Sequence, residues 1–282
     1  MCYNIRGDEY MILDVIKTII LGIIEGITEW LPISSTGHMI LANEFLKLNV
    51  SAEFWEMFEV VIQLGAIFAV VVICFKDLFP WGFNKDKTDT KETFNLWGKI
   101  VVSSIPAAVI GLLFDDYINA HFFNAWTVAI MLIVYGLLFI IIEKKHKGKR
   151  ARVTDVKDVS YKDAFMVGVF QALAIIPGTS RSGSTILGGL LLGLDRSVAT
   201  SYTFYLAIPA MGGASLLKLL KFGFVFTSSE LIILITGMIT AFIVSIFAIK
   251  FLLKYIRKND FTVFGYYRIV LGIIVILYFL FK

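Results

Sequence analysis

Long apolar runs alternate along this chain with short polar interruptions. Six of the runs stay apolar over about 20 residues, the length that a helix needs to cross the hydrocarbon core of a bilayer. They lie at about 55–75, 95–114, 123–143, 197–217, 229–253 and 262–281. The pattern therefore predicts an all-α, polytopic membrane protein with six transmembrane helices.

Two further apolar runs are broken by dense polar stretches. The first covers 11–24 and leads into the polar stretch 25–38, and the second covers 161–176 and leads into 177–183. Inside a bilayer, backbone that leaves helical geometry is tolerated only where protein or water satisfies its N–H and C=O groups. We therefore interpret both stretches as the turns of re-entrant helical hairpins, which add no crossing.

Counting the crossings gives the domain organisation. One hairpin followed by three spans occurs twice, and because three is odd the second half begins on the opposite face of the membrane. The chain is thus predicted to form a single membrane domain, 1–282, made of inverted repeats at about 11–143 and 161–282. Paired segments of this kind are typical of a binding site near the midplane, at the interface between the repeats.

A weak internal similarity agrees with the repeats. Gly22 and Glu25 recur 146 residues later as Gly168 and Gln171, and the Pro-x-x-Ser pattern that begins at Pro32 recurs 145 residues later. Chance similarity between two apolar segments is the alternative explanation.

Basic residues orient the predicted bundle. The loops 143–162 and 75–94 are rich in lysine and arginine, whereas the stretch 115–122 between them has none. Basic loops face the cytoplasm, so 115–122 and both termini are expected outside, with the first hairpin entering from the outer face. The net charge of +4 comes largely from these helix ends, where membrane lipids explain it, and we predict no nucleic-acid partner.

The first polar stretch contains two glutamates at helical spacing. Glu25 and Glu29 are four residues apart and share one face of a helix. Carboxylates at membrane depth need a cavity or a partner, and paired carboxylates are ligands that Mg²⁺ or Ca²⁺ prefers. The sequence predicts a divalent-cation site here, and the alternative is a pair of glutamates exposed to water without a role.

The same stretch continues with Ser34, Ser35, Thr36 and His38. A hydroxyl could act as a nucleophile and an imidazole could hold or deliver a proton. The serines could equally cap the start of a helix, and the free N–H groups of that helix start could bind an anion.

Arg181 dominates the second polar stretch, where it lies between two serines and is flanked by Gly178 and Gly183. Its planar fork of donors suits phosphate or carboxylate, and glycines let backbone approach the same anion closely. An ion pair to a glutamate of the first hairpin is the alternative. A metal and an arginine clamp together would suit phosphoryl transfer.

Other polar residues in the apolar runs receive weaker interpretations. Glu56, Glu59 and Gln63 recur at helical spacing and could line the cavity, Glu56 being close enough to a helix start to be interfacial. Arg268 and the pair at 195–196 are interpreted as anchors near helix ends.

These two polar stretches carry a family resemblance. Residues 25–38 read EGITEWLPISSTGH and 177–183 read PGTSRSG. Both resemble the signature stretches of bacterial undecaprenyl-diphosphatases of the bacitracin-resistance type, and the likeness extends over almost the whole chain, including FEVVIQLG at 58–65. Trp30 stands where the family leads us to expect phenylalanine.

The resemblance implies an enzyme that hydrolyses undecaprenyl diphosphate, a C55 lipid, to the monophosphate and phosphate. It implies a site open to the outer face of the bacterial cell membrane, recycling of the lipid carrier of cell-wall synthesis, and bacitracin resistance. On the matching positions, Glu25 and Glu29 would hold Mg²⁺ or Ca²⁺, Arg181 would clamp the diphosphate, and Ser35 with His38 would carry out the attack. The remaining positions expected to contact substrate are Ser34, Thr36, Gly178, Thr179, Ser180, Ser182 and Gly183.

Several points stay open at this level. The main rival function is a lipid-phosphate transporter or flippase that uses the same inverted-repeat site, and a non-catalytic lipid-binding protein is a third class. The residues do not decide whether Ser35 attacks phosphorus or His38 activates a water. The identity of the metal, the preferred prenyl chain length and the oligomeric state, a homodimer being one option, are also left open.

Overall fold

The computed structural model describes residues 5–80 and 87–282, with side chains at all of these except 5–10, 87–88, 115–116 and 119. This part of the chain is helical apart from loops, a 3-10 turn at Val156–Asp158 and an isolated β-bridge between Val153 and Leu194. The α-helices are α1 (Ile5–Thr28), α2 (Ser35–Phe45), α3 (Ala52–Val61), α4 (Gln63–Ile73), α5 (Phe75–Leu78), α6 (Lys87–Phe122), α7 (Ala125–His146), α8 (Tyr161–Leu173), α9 (Arg181–Leu191), α10 (Arg196–Phe222), α11 (Ser228–Ile256) and α12 (Thr262–Phe281). The predicted all-α class is confirmed.

Within the described residues, six helical stretches are long and apolar enough to cross a membrane, which confirms the predicted count. They are Ala52–Ile73, Asp89–Phe114, Ala125–His146, Arg196–Phe222, Ser228–Ile256 and Thr262–Phe281. The protein is therefore a multi-pass membrane protein. The re-entrant path of the two hairpins and the repeat boundaries at about 11–143 and 161–282 stay predictions.

Two details of the spans differ from the sequence interpretation. The stretch 115–122, expected to be a loop, continues α6 to Phe122, because no proline or glycine follows Gly111 to end the helix. The first span is broken at Ile62, between α3 and α4. At that break the hydroxyl of Ser215 on α10 donates to the carbonyl of Val60, at 3.2 Å. Lys85, one of the basic residues used to orient the bundle, lies outside the described residues.

Each hairpin consists of a longer first helix, of 24 residues in α1 and 13 in α8, then a turn and a shorter helix of 11 residues, α2 or α9. Both short helices begin after a serine, Ser34 or Ser180, whose φ is 74°. Within 5–80 and 87–282 these two are the only residues other than glycine with positive φ. Each serine side chain accepts a hydrogen bond from the N–H three residues later, at Gly37 or Gly183.

These caps correct the predicted register of the repeat. Ser34 corresponds to Ser180 at an offset of 146 residues, so Ser35 corresponds to Arg181. The offset of 145 inferred from the Pro-x-x-Ser pattern was wrong. The physical reason is that the two hairpins share a backbone conformation at the cap, whereas the sequence comparison matched side-chain identity.

The long helix of each hairpin packs on a helix from the other predicted half, α1 on α11 and α8 on α6. Small residues permit the close approach. A Cβ added to Gly22 would lie 2.7 Å from the Cβ of Thr240, and one added to Gly168 would lie 2.2 Å from the carbonyl oxygen of Ser103. The helices α7 and α12 pack closely as well, at Gly136 and Gly265. The two predicted halves are therefore interlocked.

Candidate active site

The turns of the two hairpins meet through an ion pair. The Nε and Nη2 atoms of Arg181 donate to Glu29 Oε1 at 3.2 and 3.0 Å, and its Nη1 donates to the carbonyl of Thr203 at 2.9 Å. The side chain of Arg181 is 12% exposed and that of Glu29 is 7% exposed. The ion pair that the sequence offered as an alternative for Arg181 is thus present. A guanidinium has five N–H donors, so two of them are left over by these three bonds.

Glu29 also holds a hydroxyl. Its second oxygen, Oε2, accepts a hydrogen bond of 2.7 Å from Ser35 Oγ, while its backbone carbonyl accepts one of 3.1 Å from Ser182. The proton of Ser35 therefore points at a carboxylate, the arrangement that general-base activation of a hydroxyl needs. Glu29 thereby joins the hydroxyl of the first hairpin to the guanidinium of the second.

His38 is engaged elsewhere. Its Nδ1 lies 2.7 Å from the carbonyl of Ser34, and its Nε2 lies 2.7 Å from the hydroxyl of Tyr267. A carbonyl only accepts, so Nδ1 carries a proton and, in the neutral ring, Nε2 accepts from the tyrosine. The ring also stacks on Tyr267, with 5.7 Å between centroids. The structure therefore places the imidazole close to the site but bonded to neither Ser35 nor Glu29.

Glu25 is the unsatisfied acid of the site. Its side chain is completely buried, and neither carboxylate oxygen has a hydrogen-bond partner in the part of the chain that the structure describes. A buried carboxylate without a partner is costly, so Glu25 fits a role as ligand to a cation. Among the described residues no cluster of three or more histidine, cysteine or acidic side chains could hold a metal. A cation here would need oxygens from water or phosphate besides the two glutamates.

The other residues expected to contact substrate line the two turns. Ser34 and Ser180 cap α2 and α9, so the capping interpretation offered for the first stretch is confirmed at Ser34. Gly178 has φ of 88°, and a Cβ there would lie 2.6 Å from Val128, which explains the glycine. Thr179 has a buried hydroxyl without a partner among the described residues. Thr36 is half-buried in the first turn of α2.

Arg268 was misinterpreted from the sequence. It is completely buried in α12, not an anchor at a helix end, and it donates to the carbonyls of Pro32, Gly178 and Thr179 at 3.0, 2.8 and 2.9 Å. When hydropathy is averaged over a whole span, a single arginine in an apolar run barely lowers the value. The signal that could have found it is its position in the seventh place of α12, too deep for an arginine that reaches the interface.

Three more residues of the site received no role in the sequence analysis. Trp30 lies under the guanidinium of Arg181, 5.9 Å from ring centroid to Cζ, and packs edge-on against Phe204. Thr203 supplies the carbonyl that holds Arg181, and Tyr267 holds His38. The role of each of these residues comes from a contact with a residue distant in the sequence, which the sequence analysis does not reveal.

The remaining polar residues have structural partners. Asp195 caps α10 and Arg196 pairs with the buried Glu143, in keeping with anchors at a helix start. Glu56 is exposed and pairs with Lys218, which supports its interfacial interpretation. Glu59 and Gln63 are half-buried, and their cavity-lining role stays a prediction.

Comparison with known proteins gives the family. The family model described as "Bacitracin resistance protein BacA" matches residues 18–274 and so includes both turns. Undecaprenyl-diphosphatase of Desulfitobacterium hafniense is 62% identical over 269 residues, which cover 95% of this chain and 97% of the relative. Undecaprenyl-diphosphatases of Enterococcus faecalis and Streptococcus mutans are 62% and 54% identical, covering 94% and 96% of this chain and 98% of each relative. The resemblance seen in the sequence is confirmed, and the chain belongs to the BacA family of bacitracin resistance proteins.

Proposed function

We propose that this membrane protein hydrolyses undecaprenyl diphosphate to undecaprenyl phosphate and inorganic phosphate, and so confers bacitracin resistance. The observation that carries the proposal is the bridge at Glu29, which holds the Ser35 hydroxyl on one oxygen and the Arg181 guanidinium on the other. The proposed nucleophile, base and anion clamp thus lie within one set of contacts. The names of the relatives, at 54–62% identity over nearly the full chain, support the same substrate.

In the proposed mechanism, Arg181 binds the terminal phosphate through the two N–H groups that have no partner among the described residues. Ser35 Oγ attacks the terminal phosphorus as its proton passes to Glu29, and the bond between phosphorus and the bridging oxygen breaks. The leaving group is undecaprenyl phosphate. Glu29 gives up this proton as water cleaves the seryl phosphate, which releases phosphate and restores the Ser35 hydroxyl. The contact of His38 with Tyr267 supports Glu29, not His38, as the base for the first step.

We further propose that Glu25 and Glu29 hold a divalent cation, Mg²⁺ or Ca²⁺. Such an ion would neutralise charge that develops on the phosphate oxygens. The unpartnered oxygens of Glu25 support this assignment.

A phosphate-release assay tests the proposal. Purified protein in detergent is given the C55 diphosphate and shorter prenyl diphosphates, and inorganic phosphate is measured over time. Glu29→Ala should abolish release, whereas Glu56→Ala, which alters an exposed glutamate, should retain it. A wild-type protein that binds the lipid yet releases no phosphate would favour the rival, a lipid-phosphate transporter.

We also propose that the site opens to the outer face of the bacterial cell membrane. After Cys2 and Cys74 are changed to serine, His121→Cys and Lys149→Cys are compared in whole cells with an impermeant thiol reagent. Both native positions are exposed. The cysteine at 121 should react in intact cells and the one at 149 only after permeabilisation. The opposite pattern would reverse the orientation.

A further inference from the structure

Arg268 is a completely buried cation. Its side chain is completely inaccessible to solvent, and it forms no ion pair with any acidic side chain in the part of the chain that the structure describes. Its interactions are with backbone carbonyls and with the ring face of Tyr135, whose centroid lies 5.5 Å from Cζ. Burying an unpaired charge is expensive, so the position calls for a use that an apolar residue could not serve.

The carbonyls that Arg268 contacts belong to both turns. Nη1 donates to Pro32, two residues before the cap of α2, and Nη2 donates to Gly178 and Thr179, just before the cap of α9. The guanidinium is one rigid plane. Its two ends therefore set the distance between a turn that carries Glu29 and Ser35 and a turn that carries Arg181.

The same cation lies close to the start of α9. A Cβ added to Gly183 in the first turn of α9 would lie 3.3 Å from Nη1 of Arg268. Helix starts carry partial positive charge, and the full positive charge of Arg268 adds to that of α9. The combination favours negative charge where the two turns meet.

From these contacts we infer that Arg268 is a positioning residue, which fixes the two turns in the register that brings Ser35, Glu29 and Arg181 onto one phosphate. The inference rests on the proposed function. If Arg268 loses its guanidinium, turnover should fall more than substrate binding. Arg181 still offers its N–H groups to the phosphate, but their alignment with Ser35 is lost.

Arg268→Lys is the first test, since an ammonium keeps the charge but is a single point that cannot span both turns. We expect kcat to fall by about 100-fold while KM stays within about threefold. The matched control is Arg196→Lys, which alters an arginine bonded to Glu143 away from the turns and should keep kcat within about twofold. Thermal unfolding in detergent establishes that each variant is folded.

A folded Arg268→Lys variant with normal kcat would overturn the inference, as would a raised KM with kcat retained, because that split indicates a simple anion clamp. If the lysine variant does not fold, Tyr135→Leu and Tyr135→Phe decide. The leucine variant removes the ring beneath Arg268 and should lower kcat by about tenfold, while phenylalanine keeps the ring and should change it by less than about twofold. Equal kcat in these two variants would contradict the inference. Absence of phosphate release from the wild type would instead refute the proposed function.

Discussion

The two hairpin turns share a backbone but differ in chemistry. Both end in a serine with φ of 74° that caps a helix of 11 residues. At the offset of 146 residues, Ser35 of the first hairpin corresponds to Arg181 of the second, and Glu29 corresponds to Ile175. The first turn thus carries the acid and the hydroxyl, and the second carries the cation.

The comparison shows why the two turns carry different side chains. Two identical turns at one interface would bring two glutamates or two arginines together, and like charges at membrane depth repel strongly. Opposite charges on two turns of the same backbone conformation attract each other, and Glu29 and Arg181 form an ion pair at 3.0 Å. The two turns thus share the cap conformation, whereas their side chains differ in charge and in proposed role.

The largest expected effect comes from breaking the charge pair. Glu29→Gln and Arg181→Gln should each lower kcat/KM by at least about 1000-fold, or about 4 kcal/mol of barrier. Each should also destabilise the fold by about 3–5 kcal/mol, because the partner is left buried and unpaired. Phosphate release and thermal unfolding in detergent measure the two effects.

The double variant separates the structural contribution of the pair from its chemistry. Glu29→Gln with Arg181→Gln removes both charges of the pair, so its unfolding midpoint should return towards that of the wild type while activity stays absent. Recovery of activity in the double variant would mean that the pair serves the fold alone.

The second effect concerns Glu25, where the second hairpin has an uncharged residue. Glu25 corresponds to Gln171, and we expect a strong chelator to abolish phosphate release and Mg²⁺ or Ca²⁺ to restore it. Independently of activity, added Ca²⁺ should raise the unfolding midpoint of the wild type but not that of Glu25→Gln. A wild-type enzyme indifferent to chelation would remove the metal from the mechanism.

A third effect compares serines of the two hairpins. Ser35→Ala should lower kcat by about 100- to 1000-fold if Ser35 is the nucleophile, whereas Ser182→Ala, which loses a bond to the Glu29 carbonyl, should cost about tenfold. Single-turnover phosphate release measures both. If Ser35→Ala lowers kcat no more than Ser182→Ala, a water molecule is the nucleophile instead.

The smallest effect should come from the second hairpin's Gln171. Its amide is buried, and neither polar atom has a partner among the described residues. Gln171→Leu should therefore leave turnover within about twofold and stabilise the fold by about 1 kcal/mol, a rise of about 2–4 °C in the unfolding midpoint. A large loss of turnover would show that both hairpins contribute polar groups to the reaction.

Much of this arrangement follows from local pattern. Apolar length identifies the six spans, and a polar break in an apolar run identifies each turn, because both are properties of consecutive residues. The pairing of Glu29 with Arg181 was anticipated only as one alternative, since charge demands a partner but does not say which one.

What the sequence missed depends on neighbours distant along the chain. Arg268 contacts carbonyls 236 and 90 residues away, and a pattern confined to one helix carries no trace of them. The left-handed backbone of Ser34 and Ser180 is similarly imposed by the packed turns, because serine has no intrinsic preference for it. The error of one residue in the repeat register has the same origin.

The interlocked packing described above also dictates the order of assembly during synthesis. The small face of α1 at Gly22 and Gly26 meets its partners on α11, Thr240 and Val244, more than 200 residues later. At a synthesis rate of about 5–20 residues per second, α1 waits for at least about 10 s before that partner exists. Arg268, in the last helix, arrives later still. The nascent protein therefore has Glu29, Ser35 and Arg181 in the membrane, but cannot lock the two turns together until its final helix is made.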